Sequence, residues 1–392
     1  MASILVTHTA RFLRGPDDQV YTTDPVLDYA FFTRYLSVFD TVGVAARVRR
    51  VEKGCEDLPR ASGPNVSFRD LPDYRGPWEF LRTRKTLTGP LREAIHAHDA
   101  HCLRVPCAHT TLAWRELLNR GAPFGLEIAG DPAESLSRGA YPSILRPLAR
   151  WVATRDLRIQ CITAGATAYV TREALQRRYP PAHNTFTTHY SSIDLPPEAM
   201  IDAPRTDFRD AGRLIFVGTL AVLYKAPDVL IRAVARIDRP NVRLNIVGDG
   251  AERAGLESLA ASLGLGSRIT FHGKVPAGTA VRERLDAADL FVLPSRGEGL
   301  PRAMIEAMAR GLPCIGSDTA GIPELLPPED RVPPGDVDAL ARKIVALLDD
   351  PKRMRQASRR NLEVSQDYAR RTLAPRREAF YAELRRICCP ER

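Results

Sequence analysis

What is scarce in this chain narrows its class before any motif is read. No apolar run approaches the roughly 20 residues that a helix needs to cross a bilayer. The seven cysteines contain no CxxC pair, are odd in number and irregularly spaced, which argues against a disulfide framework and a zinc site. Lysine occurs only at Lys53, Lys85, Lys225, Lys274, Lys343 and Lys352, so arginine carries most of the net charge of +9. That charge is dispersed rather than gathered into a stripe with interleaved aromatics, so nucleic acid is not an expected partner. Peripheral contact with an anionic membrane face, or attraction of an anionic small molecule, fits the same surplus. No G-x-G-x-x-G follows the first strand of either half, which removes the dinucleotide fingerprint. No D-x-D element stands in a metal-binding context. The start, Met1–Thr9, reads as a strand without a basic leader, which sets the expectation of a cytoplasmic protein.

What is present fits a globular chain. Hydrophobic residues make up 44% and charged residues 26% of 392 residues, enough for two domains of roughly 150 to 200 residues each. In the first half, Ile4–Thr7, Val42–Val48, Ala100–Val105, Phe124–Ala129 and Ile159–Thr163 read as strands. Asp28–Phe39, Trp78–His96 and Thr110–Asn119 read as helices. Alternating strand and helix predicts a parallel sheet covered on both faces. His96, His98 and His101 with Asp99 raise the idea of a metal site, but a helix end running into a strand makes a solvated turn the plainer reading. A Pro- and Asp-rich link, up to Asp210, leads into a more regular βα series. There Arg213–Val217, Val242–Val247, Ile269–His272, Leu290–Leu293 and Pro313–Gly316 are strands, and the helices between them predict a second doubly wound sheet. Pro351–Arg392 is basic and helical.

The segment Phe291–Gly311 carries the clearest chemistry. An apolar strand ends at Pro294, a loop with Gly297 and Gly299 follows, and a helix begins near Pro301. The unpaired N–H groups of Gly299–Arg302 and the positive end of that helix suit a diphosphate. Glu306 lies about 7.5 Å further along the helix at 1.5 Å per residue, within one nucleotide's length of such a diphosphate. A carboxylate accepts hydrogen bonds from two adjacent hydroxyls, which suits Glu306 to a ribose and Glu298, before the helix, to a sugar.

Glu298 and Glu306 match the E-x7-E motif of retaining GT-B glycosyltransferases, particularly family 4, and EGLPRAMIEAMARGLPCIGSDTAGIPEL is similar to that family throughout. The resemblance covers Arg213–Asp350 and is faint before it. It implies that Glu298 contacts the transferred sugar and Glu306 the ribose. Phe216–Leu220 and Tyr224–Asp228 resemble the family's G-R-L…K-G loop, which places Lys225 on the leaving diphosphate. Thr219 stands where arginine is usual and Ala226 where glycine is usual. Val247-Gly248-Asp249-Gly250 resembles the family's glycine turn, and a plain turn fits it nearly as well as a ligand contact. His272–Pro276, with Lys274 and Val275, falls where relatives hold the base through backbone groups. Pro123–Asp131 fits the frame of a His-Asp pair, with Gly130 at the histidine position. Asp131 then either orients a substrate or caps the next helix.

The expectation is a GT-B fold: two Rossmann-like, doubly wound α/β domains facing across a cleft. Residues 1–195 would bind the acceptor, 196–365 the nucleotide-sugar donor, and 366–392 would be a C-terminal helix packed back on the first domain. The expected activity is retaining, metal-independent transfer of a hexose-type sugar from a nucleotide-diphosphate sugar to an acceptor hydroxyl, with no cofactor beyond that co-substrate. Glu298, Lys225 and Asp131 are the expected catalytic residues. Gly218, Thr219, Lys225, Gly248, Lys274, Val275, Glu298, Gly299, Leu300, Pro301, Arg302 and Glu306 are the expected donor contacts. The alternative is a sugar-nucleotide-binding protein without turnover, or an epimerase or phosphorylase of the same architecture.

Overall fold

The computed structural model describes residues 1–135, 146–193, 195–208 and 211–390; Asp210 of the link and residues 391–392 of the C-terminal segment lie outside them. The first domain contributes β1 (Ser3–Arg14), β2 (Val20–Thr22), β3 (Thr41–Arg50), β4 (Val66–Leu71), β5 (Ala100–Val105), β6 (Gly125–Ile128), β7 (Ala166–Tyr169) and β8 (Phe186–His189). They form one sheet in the order β4-β3-β1-β5-β6-β7-β8, parallel apart from the hairpin of β2 on β1. The second domain contributes β9 (Arg213–Val217), β10 (Arg243–Val247), β11 (Ile269–Gly273), β12 (Leu290–Leu293), β13 (Cys314–Ser317) and β14 (Arg331–Val332). Its order is β11-β10-β9-β12-β13-β14, parallel throughout.

The central strands are apolar because helices cover both faces. All four residues of β12 are buried, and so are Leu214, Ile215 and Phe216 of β9. In each sheet the winding reverses once, between β1 and β5 and between β9 and β12. The carboxyl edge at such a reversal is where a doubly wound sheet opens a crevice for ligands. Both motif loops of the second domain leave from that edge, one after β9 and one after β12.

The second-domain elements read from the sequence match within a few residues, although the short β14 escaped the reading; the first domain needs correction. Ile159–Thr163 is the end of helix Arg146–Thr163, not a strand. Its buried residues, Asp156, Leu157, Gln160 and Cys161, have helical spacing, whereas Ile162 is exposed. The strand follows at β7. Asp28–Phe39 is a short helix, Tyr29–Thr33, capped by the Asp28 carboxylate and continued by a 3-10 turn, Arg34–Ser37. The half-polar strands β4 and β8 escaped the reading, because neither shows a continuous apolar run.

The carboxyl edges of the two sheets face each other. A Cβ on Gly299, after β12, would lie 2.9 Å from the carbonyl oxygen of Ala129, after β6. The Glu324 carboxylate accepts hydrogen bonds from the N–H groups of Arg172, Glu173 and Ala174 at 2.6, 3.0 and 2.6 Å. This latches the second domain to the start of a first-domain helix, where an anion is favoured. Helix Pro351–Ser365 packs on the second domain. Helix Arg370–Cys388 then returns to the first, where Leu384 covers Gly125 and Ile387 covers Gly165. Among the described residues, no helix is long and apolar enough to cross a membrane.

Candidate active site

The donor-side residues are assembled by three loops that interlock through backbone. Gly218 N–H donates to Val247 O, Leu220 N–H to Asp249 O, and Gly248 N–H to Gly273 O. These bonds bring the ends of β9, β10 and β11 so close that side chains are excluded. A Cβ on Gly248 would sit 1.8 Å from the Gly218 carbonyl oxygen, at a φ of +142°. Gly248 is therefore required by the turn itself. Gly218 has a different use: a Cβ there would meet the Lys225 Cδ at 2.4 Å, so its bareness lets the lysine stem cross the loop.

Lys225 ends a 3-10 turn, Leu223–Lys225, and its ammonium pairs with the Glu298 carboxylate from the β12 loop. Both side chains are almost wholly buried. Burial pulls the lysine pKa down, but Glu298 and the Tyr224 phenol more than offset it, and the value is raised above that of an ordinary lysine. The Ser295 hydroxyl donates to the same Glu298 oxygen at 3.2 Å. A charged lysine and a carboxylate are thus held together at the crevice, beside the start of helix Arg302–Ala309.

That helix begins one residue later than the sequence suggested, with Pro301 as its cap. Glu306 lies on its partly exposed face, between the buried Ile305 and Ala307. Burial raises its carboxyl above the ordinary range, against the opposing pull of Arg302 and Arg282. Thr219 is exposed, and its hydroxyl accepts from Ala221 N–H at 3.2 Å. Ala226 adopts φ +53° and ψ +46°, the left-handed conformation that explains why glycine is usual there. The Lys274 ammonium reaches across to Thr23 O at 3.4 Å. It therefore bridges the domains rather than joining Lys225 and Glu298.

Asp131 does not reach the crevice with open oxygens. One oxygen accepts from Ala133 N–H at 2.8 Å and from the Tyr179 phenol at 2.5 Å, while the other pairs with Arg178 at 2.6 Å. Of its two readings, the helix cap is the one the geometry displays. A Cβ on Gly130 would meet nothing within 4 Å, so the missing histidine leaves open space there. His98 and His101 bond the carbonyls of Ala94 and Ile95, and Asp99 receives Ser3 N–H and hydroxyl donors.

Sequence reading missed Arg296. Its guanidinium grips both oxygens of Asp228 at 2.9 and 2.7 Å and donates to Leu223 O at 2.7 Å. It ties the Lys225 loop to the Glu298 loop, and the signal was an opposite charge in each of the two motifs. Gly321 was also missed: a Cβ there would lie 2.2 Å from Gly299 O.

Comparison with known proteins decides the class. Residues 211–350 match the family model described as glycosyl transferases group 1. Over 322 residues, 81% of this chain and 79% of the relative, the sequence is 24% identical to protein CapJ of Staphylococcus aureus. It is 27% identical to the alpha-D-kanosaminyltransferase of Streptomyces kanamyceticus, over 69% of this chain and 72% of that one. The fold superposes on Anabaena HepE, solved with UDP-glucose, at a TM-score of 0.69 and 16% identity, covering 97% and 99% of the two chains. Residues 211–350 form a group 1 glycosyltransferase domain, and the chain has the GT-B fold. In the transferase, the matched region holds the Lys225–Glu298 pair and Glu306, whereas the first domain rests on fold and on distant relatives.

Proposed function

We propose that the transferase moves a hexose-type sugar, with retention and without a metal, from a nucleotide-diphosphate sugar to an acceptor hydroxyl. The observation that carries this reading is the buried Lys225–Glu298 pair beside the start of a helix bearing Glu306. A diphosphate at the helix start meets unpaired N–H groups and Arg302, and it draws Lys225 away from Glu298. Glu298 is thereby released to accept from hydroxyls of the sugar, and Glu306 accepts from the ribose diol. A lysine and a helix terminus can neutralise the leaving diphosphate without a cation. In a front-face reaction the departing phosphate oxygen takes the acceptor proton while the new glycosidic bond forms on the same face. Asp131 acts as a positioning residue that caps the turn after Gly130.

UDP-glucose in HepE and the GDP-mannose-dependent mannosyltransferase of Corynebacterium glutamicum, 31% identical over 206 residues, support a nucleotide sugar but differ in base. The test is a thermal-shift screen with UDP, GDP, ADP and dTDP sugars on the native protein and on Glu306→Ala. One nucleotide should stabilise the native protein well above the variant. Equal stabilisation of both would remove the ribose assignment.

The exposed Leu148 and Trp151 on helix Arg146–Thr163, interleaved with Arg150 and Arg155, support peripheral attachment to an anionic membrane. Co-sedimentation with anionic but not neutral vesicles checks it.

A further inference from the structure

A cluster of ionisable side chains lies apart from Lys225, Glu298 and Glu306. Cys107 follows β5 by two residues and stands at the start of helix Ala108–Asn119, on the carboxyl edge where the first sheet reverses its winding between β1 and β5. It is partly exposed, whereas Cys55, Cys102, Cys161 and Cys314 are buried. Its Sγ lies 3.2 Å from Nδ1 of His109, a wholly buried ring. The same Nδ1 is 3.0 Å from the Tyr74 phenol. Arg47 closes the cluster from β3: its guanidinium donates to the Tyr74 carbonyl at 3.0 Å and stacks 4.7 Å from the Tyr74 ring centre.

The hydrogen bonds fix where a proton can go. His109 Nε2 lies 3.1 Å from the carbonyl oxygen of His8, which only accepts, so Nε2 carries the hydrogen. In the neutral ring Nδ1 is then a bare lone pair, and the Cys107 thiol can pass its proton to it. A thiolate at a helix start also meets the positive end of the helix dipole. Burial pushes the Cys107 thiol up, but His109 and Arg47 outweigh it and bring the value down to about 6. His8 is lowered well below an ordinary histidine, first by burial and then by Arg104, His109 and Arg47, so it stays neutral. Cys388 and Cys389 are also partly exposed, but burial raises both thiols, and Cys388 keeps its proton on the Pro123 carbonyl at 3.4 Å.

We propose that Cys107 is a reactive thiol, activated by His109, and a site of oxidation by hydrogen peroxide. The thiolate attacks one peroxide oxygen; an S–O bond forms as the O–O bond breaks, and the sulfur is oxidised to a sulfenic acid. The departing hydroxide takes the proton held by His109 and leaves as water, so atoms and charge balance. The added oxygen places a new polar group on the edge where a doubly wound sheet admits ligands. The inference does not depend on the transfer reaction, because Lys225, Glu298 and Glu306 take no part in it.

The test is mass spectrometry, resolved by residue, on the full native chain. After brief exposure to hydrogen peroxide, dimedone, which captures sulfenic acids, should mark Cys107 ahead of Cys388 and Cys389. The rate of alkylation by iodoacetamide is then followed across the thiol range. A thiolate of low pKa is also a weaker nucleophile, so the signature is a plateau rather than a high rate. At Cys107 the rate should level off by about pH 7, while at Cys388 and Cys389 it should still climb beyond about pH 8.5. His109→Gln should move the Cys107 rise up into that ordinary thiol range. If this variant folds poorly, the native profile alone decides. Absence of a dimedone adduct on Cys107, a native rate that climbs through the ordinary thiol range, or an unmoved profile in folded His109→Gln each overturns the proposal.

Discussion

The two halves of the crevice are built by opposite means. On the second-domain side, three loops lock backbone to backbone, and glycines clear the space in which Lys225 and Glu298 meet. On the first-domain side, side chains fill the space: Tyr35, Arg104, Glu127, Tyr190 and Arg377 converge from five separate stretches. A site made of turns constrains which residues the chain can place at fixed spacing. A site made of converging side chains can draw each from any stretch the topology brings near.

The largest effects should come from the buried ion pair in each half. Glu127 is 4% exposed, and Glu127→Ala leaves Arg104 buried without its partner, a change that costs about 3–5 kcal/mol. Lys225→Met, which strands Glu298, should cost a similar amount. The two should differ in donor affinity: unchanged in Glu127→Ala, sharply reduced in Lys225→Met. Denaturant titration with nucleotide binding on the surviving folded fraction measures both, and an equal loss of affinity would erase the functional distinction between the halves.

Glycine substitutions probe the same contrast. Gly248→Ala forces a Cβ into the Gly218 carbonyl at a conformation that alanine rarely adopts, worth about 1–3 kcal/mol in backbone strain alone. Gly130→Ala enters open space at a φ that other residues tolerate, and should be silent in stability. A silent Gly248→Ala would mean that the interlocked loops can part, and thermal unfolding of the two variants side by side decides it.

The same contrast explains what could be read from the sequence. The second domain was legible because its strands are continuous apolar runs, its turns demand glycine, and Glu298 and Glu306 sit on one short segment. The first was not. Ile159–Thr163 looks like a strand because its run of apolar residues hides a helical spacing. Arg377 and Glu127 are 250 positions apart, and no local pattern links them. Arg296 lay inside a quoted motif, yet its partner Asp228 lay in another, so only the fold showed that the two motifs are tied together.

Glu306 offers a pH-dependent test of the donor half. Its carboxyl is raised by burial, so in the free protein the ionised form is disfavoured, and that penalty fades as pH falls towards the raised value. On the proposed ribose contact the diol is held by the ionised form, so nucleotide affinity should fall as pH drops through the same range, above that of an ordinary glutamate. Glu306→Gln should flatten the profile, raise the stability of the free protein at neutral pH, and weaken the nucleotide by roughly tenfold, the scale of a hydrogen bond to a charged group. Nucleotide titrations across the carboxylate range measure it; a native profile as flat as the variant's would mean that Glu306 does not grip the diol.

The smallest expected effect tests whether turn geometry accounts for a motif position. Ala226 is fully buried and left-handed. Replacing it with glycine relieves roughly 1–2 kcal/mol of left-handed strain but removes a buried methyl worth about 0.8 kcal/mol. Glycine also gains roughly 0.5–1 kcal/mol of freedom in the unfolded chain. These terms nearly cancel, so Ala226→Gly should shift stability by less than about 1 kcal/mol and leave nucleotide affinity unchanged, because the methyl points into the core. Unchanged stability with severalfold tighter nucleotide binding would show instead that this position clears space for the donor. The preference for glycine there would then come from the ligand, and the second-domain side of the crevice would follow the same side-chain logic as the first-domain side.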